Sequence, residues 1–295
     1  MTYLRKTLAL SVGVAALAAG AAACTIGEPL DEPSTEPVEI VTVTETAADG
    51  GGAAQSPSPS MSLSDDPTAA LTEAVDNVIA AYGGRAALAV SGDQEYSAGD
   101  TTGFASWSTM KVPVAIAALN SRPEMTIEAA NAIQASDNGA ADMLWNATTP
   151  EAVEAVLAEG HSPVAVERNV TRPGFSAFGQ TQWTVDEQAR FASHLSCVAG
   201  AGPVLEHMGN LTAGGNYGLG TLPGARLKGG WGPSISGAYE VRQLGLVPDA
   251  NGRQIAVAIA ASAADGTYET GQAMLTQLAA ALADVLDTAP AAVCQ

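Results

Sequence analysis

The chain has 295 residues, of which 31 are acidic and 12 are basic, giving a formal net charge of −19. Such a surface repels nucleic acid and is not attracted to an anionic membrane, so we expect neither as an electrostatic partner. Hydrophobic residues make up 47% of the chain, which excludes a fully disordered protein and allows one well-buried domain.

The first 24 residues predict a secretory signal. Arg5 and Lys6 give a positive start, an apolar stretch covers 8–17, and small residues lead to Cys24. This stretch is shorter than the about 20 residues that a transmembrane helix needs. Small residues directly before a cysteine are typical of a bacterial lipobox, so we expect Cys24 to be lipidated and the protein to be anchored outside the cytoplasm. The alternative is ordinary cleavage at an A-x-A site, which would leave a secreted protein.

Residues 25–66 are rich in Pro, Ser, Thr, Gly and acidic residues, which predicts a flexible tether without a core of its own. The pattern becomes globular at residue 67, so we place one domain at 67–295. Cys197 and Cys294 remain besides the lipid-bearing cysteine. In an oxidising compartment they are expected to form a disulfide, and two buried free thiols are the alternative.

Within 67–295 the periodicity predicts alternating groups of helices and strands. Helical spacing covers 67–82, 108–120, 126–134, 137–146, 150–159, 184–198 and 267–286. A capping box stands at the start of the segment 184–198. Strand patterns cover 86–90, 94–98, 226–228, 238–247 and 253–262. The order of these elements predicts an α+β fold. We expect a five-stranded antiparallel sheet flanked by helices, with a reduced helical lobe beside it.

Only two lysines follow the predicted signal, and each stands in a short motif. Ser108 and Lys111 form an S-x-x-K motif that places both side chains on one face of a helix. A serine becomes a good nucleophile only beside a base, and a lysine acts as that base only when burial or a neighbouring cation lowers its pKa. Lys228, which begins a K-G-G motif, could be that cation, so the pattern predicts a serine acyl-transfer site.

The remaining predicted roles complete this chemistry. Ser108 is the expected nucleophile, at a helix N-terminus whose dipole and free N–H favour developing negative charge. In the S-D-N motif, Ser136 would relay a proton to the leaving group, and Asn138 would hold a substrate amide or orient the base. Gly230 lets a strand backbone approach the substrate closely, and the N–H of Trp231 would complete the oxyanion hole.

The order S-x-x-K, S-D-N, K-x-G resembles the pattern of class A β-lactamases and penicillin-binding proteins. Segments 104–113 and 127–142 and the C-terminal strands and helix are also similar, so the resemblance covers nearly all of 67–288. It implies a β-lactamase-like fold and an acyl-enzyme at Ser108, with the catalytic roles given above. The expected partner is a cell-wall peptide or a β-lactam-like small molecule. We expect a monomer without metal or cofactor, since the histidines lack metal-ligand spacing.

Three departures from the family pattern concern the site. Ser108 and Ser136 are only 28 positions apart (136 − 108), which predicts a trimmed helical lobe. Gly229 stands where the family usually has Thr or Ser, whose hydroxyl contacts the substrate carboxylate. The predicted loop 160–183 lacks the E-x-x-L-N pattern of class A enzymes and holds one acid, Glu167. A β-lactam acyl-enzyme is therefore expected to turn over slowly.

The sequence leaves three functions open. The leading one is a serine hydrolase or acyltransferase, because a decayed site would have lost at least one of the residues named above. The second is a true β-lactamase with an unorthodox base such as Glu167. The third is a lipoprotein that binds without catalysing, which the trimmed lobe and Gly229 favour. Among the tryptophans, the sequence places Trp107 and Trp231 at the cleft wall and assigns the others, at 145 and 183, to the core.

Overall fold

A computed structural model describes residues 67–294 of the chain. The predicted signal segment with Cys24 and the predicted tether at 25–66 lie outside the described residues.

The described residues contain helices and strands in the predicted order. The helices are α1 Pro67–Tyr82, α2 Lys111–Ser121, α3 Thr126–Gln134, α4 Asn138–Asn146, α5 Pro150–Glu159, α6 Val185–His194, α7 Ala201–Met208 and α8 Tyr268–Ala283. The strands are β1 Arg85–Ser91, β2 Glu95–Gly99, β3 Arg226–Pro233, β4 Tyr239–Pro248 and β5 Gln254–Ser262.

The strands form one antiparallel sheet in the order β2-β1-β5-β4-β3, as the sequence predicted. Successive residues of a strand point to opposite faces, and β1, β4 and β5 contribute side chains to two hydrophobic cores. Ala87 and Ala89 of β1 join the core shared with the helical lobe, whereas Leu88 and Val90 join the core under α1 and α8. The sheet is thus a middle layer, and β3 is an edge strand beside the lobe.

Local capping explains where the helices of the lobe begin. The Asp137 carboxylate accepts a hydrogen bond from Ala140 N at 2.6 Å and starts α4 directly after the S-D-N serine. The predicted capping box of α6 is present, because Thr184 and Glu187 bind each other's backbone N–H. Each cap satisfies an amide that the first helical turn leaves without a partner.

Two predicted helices differ from the structure in their bounds, and one helix was not predicted. The helix predicted at 108–120 begins as a short 3₁₀ turn at Trp107–Met110, and the α-helix starts only at Lys111. The helix predicted at 184–198 ends at His194, and a 3₁₀ turn follows over 195–197. Sequence patterns missed α7, a short helix interrupted by Gly and Pro.

The strand predicted at 226–228 is longer in the structure. It continues through Gly229 and Gly230 to Pro233 and pairs with β4 along its whole length. The local pattern ended at Lys228 because glycines have low strand propensity, whereas the interpretation of the site already required Gly230 on a strand. The pairing with β4 extends the strand over the K-G-G motif, which lies at the edge of the sheet.

Cys197 and Cys294 are joined by a disulfide with a Cα–Cα distance of 5.5 Å, in line with the sequence expectation. It fixes the C-terminal segment, whose Val293 and Cys294 amides also donate to Ser193 of α6. Between residues 67 and 294, no helix combines the length and the apolar character needed to cross a bilayer.

Candidate active site

The three motifs meet at one cleft. The turn before α2 supplies Ser108, the α3–α4 connection supplies Ser136 and Asn138, and β3 supplies Lys228. The cleft has a volume of about 730 Å³, and Ser108, Ser136, Asn138 and Trp231 line it. A larger cavity of about 1030 Å³ lies between α7 and the glycine-rich segment 209–227 and is lined by none of these residues. The chemistry therefore belongs to the smaller cleft.

Lys111 is almost completely buried, with 2% of its surface exposed, and its amine is held by the S-D-N segment. Its Nζ donates to the carbonyl of Ser136 at 2.6 Å and to Asn138 Oδ1 at 2.8 Å. A longer contact of 3.4 Å joins the same Nζ to Ser136 Oγ. Of the two roles expected for Asn138, the side-chain oxygen is placed for orienting the base.

Lys228 lies on the other side of the same hydroxyl. Its Nζ donates to Ser136 Oγ at 2.8 Å and to the Gly229 carbonyl at 2.9 Å. Ser136 Oγ is thus placed between the two lysine amines. A hydroxyl has one proton to donate and two lone pairs, so this arrangement can pass a proton from one amine towards the other or towards a leaving group.

The electrostatics of the two lysines follow from burial. Burial lowers the pKa of Lys111 to about 8, although the nearby carboxylates of Asp137 and Asp142 act in the opposite direction. Burial, and then the positive charge of Lys111, lower the pKa of Lys228 well below its ordinary value. Two buried amines that share one hydroxyl cannot both keep a proton without repulsion, which favours one neutral amine at the site.

The nucleophile turn lies directly against β3. A Cβ atom on Gly230 would be 2.8 Å from Ser108 N and 3.0 Å from Thr109 N, so only glycine fits there. Ser108 itself is partly exposed in the cleft, and its Oγ makes no hydrogen bond to any described residue. The close approach brings the Ser108 amide beside the edge strand that carries Trp231, where the sequence predicted the oxyanion hole.

Trp107, the residue before the nucleophile, has φ = 48°, in the left-handed region that non-glycine residues rarely adopt. Ser136, in the second motif, has φ = 55°. Such conformations persist only where the surroundings enforce them, and they cluster at functional sites.

A buried carboxylate holds the Trp107 conformation in place. Glu240 of β4 accepts hydrogen bonds from Trp107 Nε1 at 3.1 Å and from Ala105 N at 3.2 Å. Arg85 pairs with the same carboxylate at 3.0 Å, which compensates its charge. The Trp107 ring lies over Gly232, where a Cβ atom would come within 2.4 Å of the indole. The strained turn is therefore clamped between β3 and β4.

Arg242 of β4, which is fully buried, also contacts the segment before the nucleophile. It donates to the carbonyls of Phe104 and Ala105 at 3.2 and 3.0 Å and to Gln188 Oε1 at 3.1 Å. Gln188 in turn donates to Thr109 Oγ1 at 2.6 Å. Sequence patterns did not identify Glu240 and Arg242, because charged residues at alternate positions of a strand usually indicate a solvent-exposed face.

Glu167 is not directed at the nucleophile. Its Oε1 accepts hydrogen bonds from the amides of Arg168 and Asn169, at 3.0 and 2.9 Å, within its own loop. Among the described residues that line the cleft, the one carboxylate is that of Asp142, one turn after Asn138 on α4. In the structure, Glu167 therefore stabilises its own loop.

The loop at 160–183 closes one end of the cleft with aromatic and basic side chains. Arg172 lies 4.8 Å from the Trp107 ring and donates to the Pro233 carbonyl, and Phe175 packs edge-on against Trp107 at 5.4 Å. Trp145 is partly buried against the core, as predicted, and also lines the cleft, which was not predicted. Trp183 is buried with 1% exposure, as predicted. Within the described part of the chain, no three His, Cys, Asp or Glu side chains come together as a metal site.

Comparisons with known proteins identify the fold. A reconstructed class A β-lactamase variant, from the last common ancestor of Gram-negative bacteria, superposes with a TM-score of 0.60 at 19% identity. That match covers 74% of this chain and 98% of the other. The TLA-3 extended-spectrum β-lactamase matches with a TM-score of 0.59 at 14% identity, over 74% of this chain and 99% of the other. The TLA-1 extended-spectrum β-lactamase gives a TM-score of 0.59 at 14% identity, over 75% and 99%.

No family model matches the chain, and no curated protein sequence matches it significantly. The chain therefore has the β-lactamase fold, the α+β architecture that the sequence predicted, at a low level of sequence identity.

Proposed function

We propose that the chain is a serine hydrolase or acyltransferase that forms an acyl-enzyme at Ser108. The observation that carries this proposal is the position of Ser136 Oγ, 2.8 Å from Lys228 Nζ and 3.4 Å from Lys111 Nζ. One buried lysine with a lowered pKa supplies the base, and the shared hydroxyl connects it to the second lysine. Other functions do not require this costly burial of two amines.

In the proposed reaction, the Ser108 hydroxyl attacks a carbonyl carbon while Lys111 takes its proton. The negative charge that develops on the carbonyl oxygen lies near the Ser108 and Trp231 amides, which act as hydrogen-bond donors. The bond to the leaving group then breaks, and Ser136 delivers a proton to that group, replaced from Lys228. Water, or another acceptor, releases the acyl group from Ser108 in the second half of the cycle.

The proposal includes a location and a substrate class. The predicted lipidation of Cys24 would anchor the protein outside the cytoplasm, with the segment at 25–66 as a tether. A peptide or amide of the cell wall is then the substrate within reach. The cysteine pair at 197 and 294 suits the same oxidising compartment.

Two other functions keep specific support. The matching solved structures are named as β-lactamases, which favours a true β-lactamase. Against it, the Glu167 carboxylate binds the amides of its own loop, and Asp142 is the one carboxylate among the described residues that line the cleft. A binding lipoprotein without catalysis is favoured by the free Ser108 Oγ, which contacts neither lysine through a hydrogen bond. One experiment distinguishes the β-lactamase and the binding lipoprotein from the proposed function.

That experiment is intact-mass spectrometry of the full-length protein after incubation with an alkyl fluorophosphonate, with Ser108→Ala as the control. We expect a single adduct on the wild-type protein and none on the variant, since an activated serine displaces fluoride from phosphorus. Equal adduct on both proteins would place the reaction at another residue and overturn Ser108 as the nucleophile. No adduct on either protein would also overturn it and favour the binding lipoprotein. A parallel incubation with a penicillin shows a β-lactamase if the drug is consumed without a lasting adduct.

A further inference from the structure

The side of β3 that faces away from the lysines carries a second feature of the site. Lys228 and Gly230 point towards Ser136 and the nucleophile turn, so the alternate residues of the strand, Gly229 and Trp231, point to the opposite face. The resemblance described above implies that a hydroxyl at position 229 would meet a substrate carboxylate on that face. In this protein, neutral side chains occupy that position.

Neutral side chains already fill the space beyond Gly229. A Cβ atom on Gly229 would be 3.4 Å from Tyr217 Oη and 3.8 Å from Gln243 Cγ. Tyr217 is 5% exposed, and its hydroxyl lies 3.5 Å from that of Tyr268. Burial raises the pKa of Tyr217, so the phenol stays uncharged. Gln243 is fully engaged with its own neighbours, through Leu219 N and the Tyr217 carbonyl.

Aromatic rings extend this neutral surface to the cleft. Trp231 packs against Tyr268 with ring centroids 5.3 Å apart, and Tyr239 lies 6.0 Å from the same ring. Trp231 and Tyr239 also line the cleft that contains Ser108. The four rings, those of Tyr217, Trp231, Tyr239 and Tyr268, are called the aromatic patch below.

None of the cation–ring contacts in the described part of the chain involves a ring of the aromatic patch. Arg172 comes nearest along the strand, where it donates to the carbonyl of Pro233, the residue paired with Tyr239. Lys111 and Lys228 are both committed to the Ser136 side of β3. Arg242 belongs to β4 but donates to the opposite face, and Arg172 stacks on Trp107 and Phe175. Arg168 reaches the cleft lining, but Glu151 and Glu154 hold it at 2.9 and 3.0 Å.

An anion at this place would lose its hydration without gaining a charged partner, which is costly. An apolar or aromatic group would gain contact area and ring packing instead. The carboxylate of Asp142 at the cleft lining adds repulsion against an anionic ligand.

We propose that Ser108 acts on substrates whose leaving group is uncharged and carries an apolar or aromatic portion that lies against Trp231. The inference rests on the proposed function and narrows it. A cell-wall peptide with a free C-terminal carboxylate is a poor substrate, whereas its amidated or esterified form, or another neutral ester or amide, is a good one.

A matched pair of N-acylglycyl thioesters tests this specificity. One has mercaptoacetate as its leaving group, and the other has methyl mercaptoacetate, so they differ by one negative charge. In the reaction, Ser108 Oγ bonds to the thioester carbon, the carbon–sulfur bond breaks, and the thiol leaves with a proton. Thiol release is read with a chromogenic disulfide.

Binding is measured separately on full-length Ser108→Ala, which cannot form the acyl-enzyme, by titration calorimetry. We expect the neutral thioester to bind this protein at least about tenfold more tightly than the charged one, because the charged group is desolvated without a partner. Equal or tighter binding of the charged thioester overturns the inference. Thiol release by the wild-type protein tests the proposed function instead. If the neutral thioester binds more tightly but no thiol is released, the result contradicts the proposed function and not the inference about charge.

Two substitutions at Trp231 test whether the aromatic patch causes the preference for the neutral thioester. Trp231→Ala in the Ser108→Ala background should reduce the preference to below about threefold, since the apolar contact is removed. Trp231→Phe keeps a ring at this position and should retain most of the preference. A preference that is unchanged in both variants would overturn the assignment to the aromatic patch.

Discussion

At the scale of single residues, Lys111 is subject to opposing influences. The carbonyl of Ser136 and the side chain of Asn138 accept hydrogen bonds that suit an ammonium group, while burial disfavours the charge. The pKa of about 8 means that the ammonium form predominates at neutral pH and that a minor amine fraction is present. A modest change of pH therefore changes the amount of base.

We expect the rate of Ser108 labelling by a fluorophosphonate to rise with pH and to level off above about 8. Below that value the amine fraction, and with it the rate, falls about tenfold per pH unit. The measurement is the labelling rate between about pH 6 and 9.5, after correction for hydrolysis of the probe.

Lys111→Arg is the control, because it keeps the positive charge but stays protonated throughout this range. It should label slowly at every pH. A wild-type rate that falls with rising pH, or an arginine variant with the wild-type profile, would contradict Lys111 as the base.

The sequence reveals some of these residues better than others. Lys111 and Lys228 stand out because the chain has almost no other lysine, and a reactive amine is difficult to replace. Glu240 and Arg242 have no such signal, because their importance comes from the strand pairing that buries them against the nucleophile turn. Burial of a charge on an interior strand is a property of the tertiary structure.

At the scale of elements, the contact between β3 and the nucleophile turn is the tightest part of the site. Gly230→Ala would place a methyl group 2.8 Å from Ser108 N and 3.0 Å from Ser106 O, and neither backbone atom can move freely. We expect fluorophosphonate labelling to slow at least about tenfold and the free energy of unfolding to fall by about 1–3 kcal/mol. Labelling kinetics and urea unfolding measure the two effects.

Gly202→Ala is the matched control, because this position lies in α7 and a Cβ atom there meets nothing within 4 Å. It should label at the wild-type rate and be as stable as the wild type, or more stable by about 0.5–1 kcal/mol. If Gly230→Ala labels as fast as this control, the close packing does not position the nucleophile.

The boundaries of β3 and of the turn before α2 show why local sequence patterns do not predict the contact between them. Glycines at 229, 230 and 232 indicate a loop by propensity, but the segment pairs with β4 as a strand. At 230 and 232 the nucleophile turn and the Trp107 indole leave no room for a side chain, which accounts for these two glycines. The 3₁₀ turn before α2 packs against this strand, and helical periodicity does not predict that contact.

At the scale of the whole molecule, the disulfide joins residues 97 positions apart and fixes the C-terminal segment to α6. We expect the double variant Cys197→Ser, Cys294→Ser to lose about 2–5 kcal/mol of unfolding free energy, because the unfolded chain is no longer cross-linked. Urea unfolding of the variant, beside oxidised and reduced wild-type protein, provides the measurement. The variant should match the reduced protein, and a variant as stable as the oxidised wild type would contradict the expectation.

The global arrangement was more predictable than its details. The order of helical and strand patterns indicated the five-stranded sheet, and the order of the three motifs indicated which segments would meet. The lobe was expected to be small from the short interval between Ser108 and Ser136, and α3 and α4 are indeed only 9 residues each. What covers the cleft, above all the loop with Arg172 and Phe175, depends on contacts without any sequence period.

The hydrogen bonds of Glu167 within its own loop have a consequence for the lifetime of an ester at Ser108. Under the proposed function, the release of the acyl group would proceed without help from this carboxylate, and the ester would be long-lived. The amount of substrate converted would then scale with the number of protein copies rather than with elapsed time.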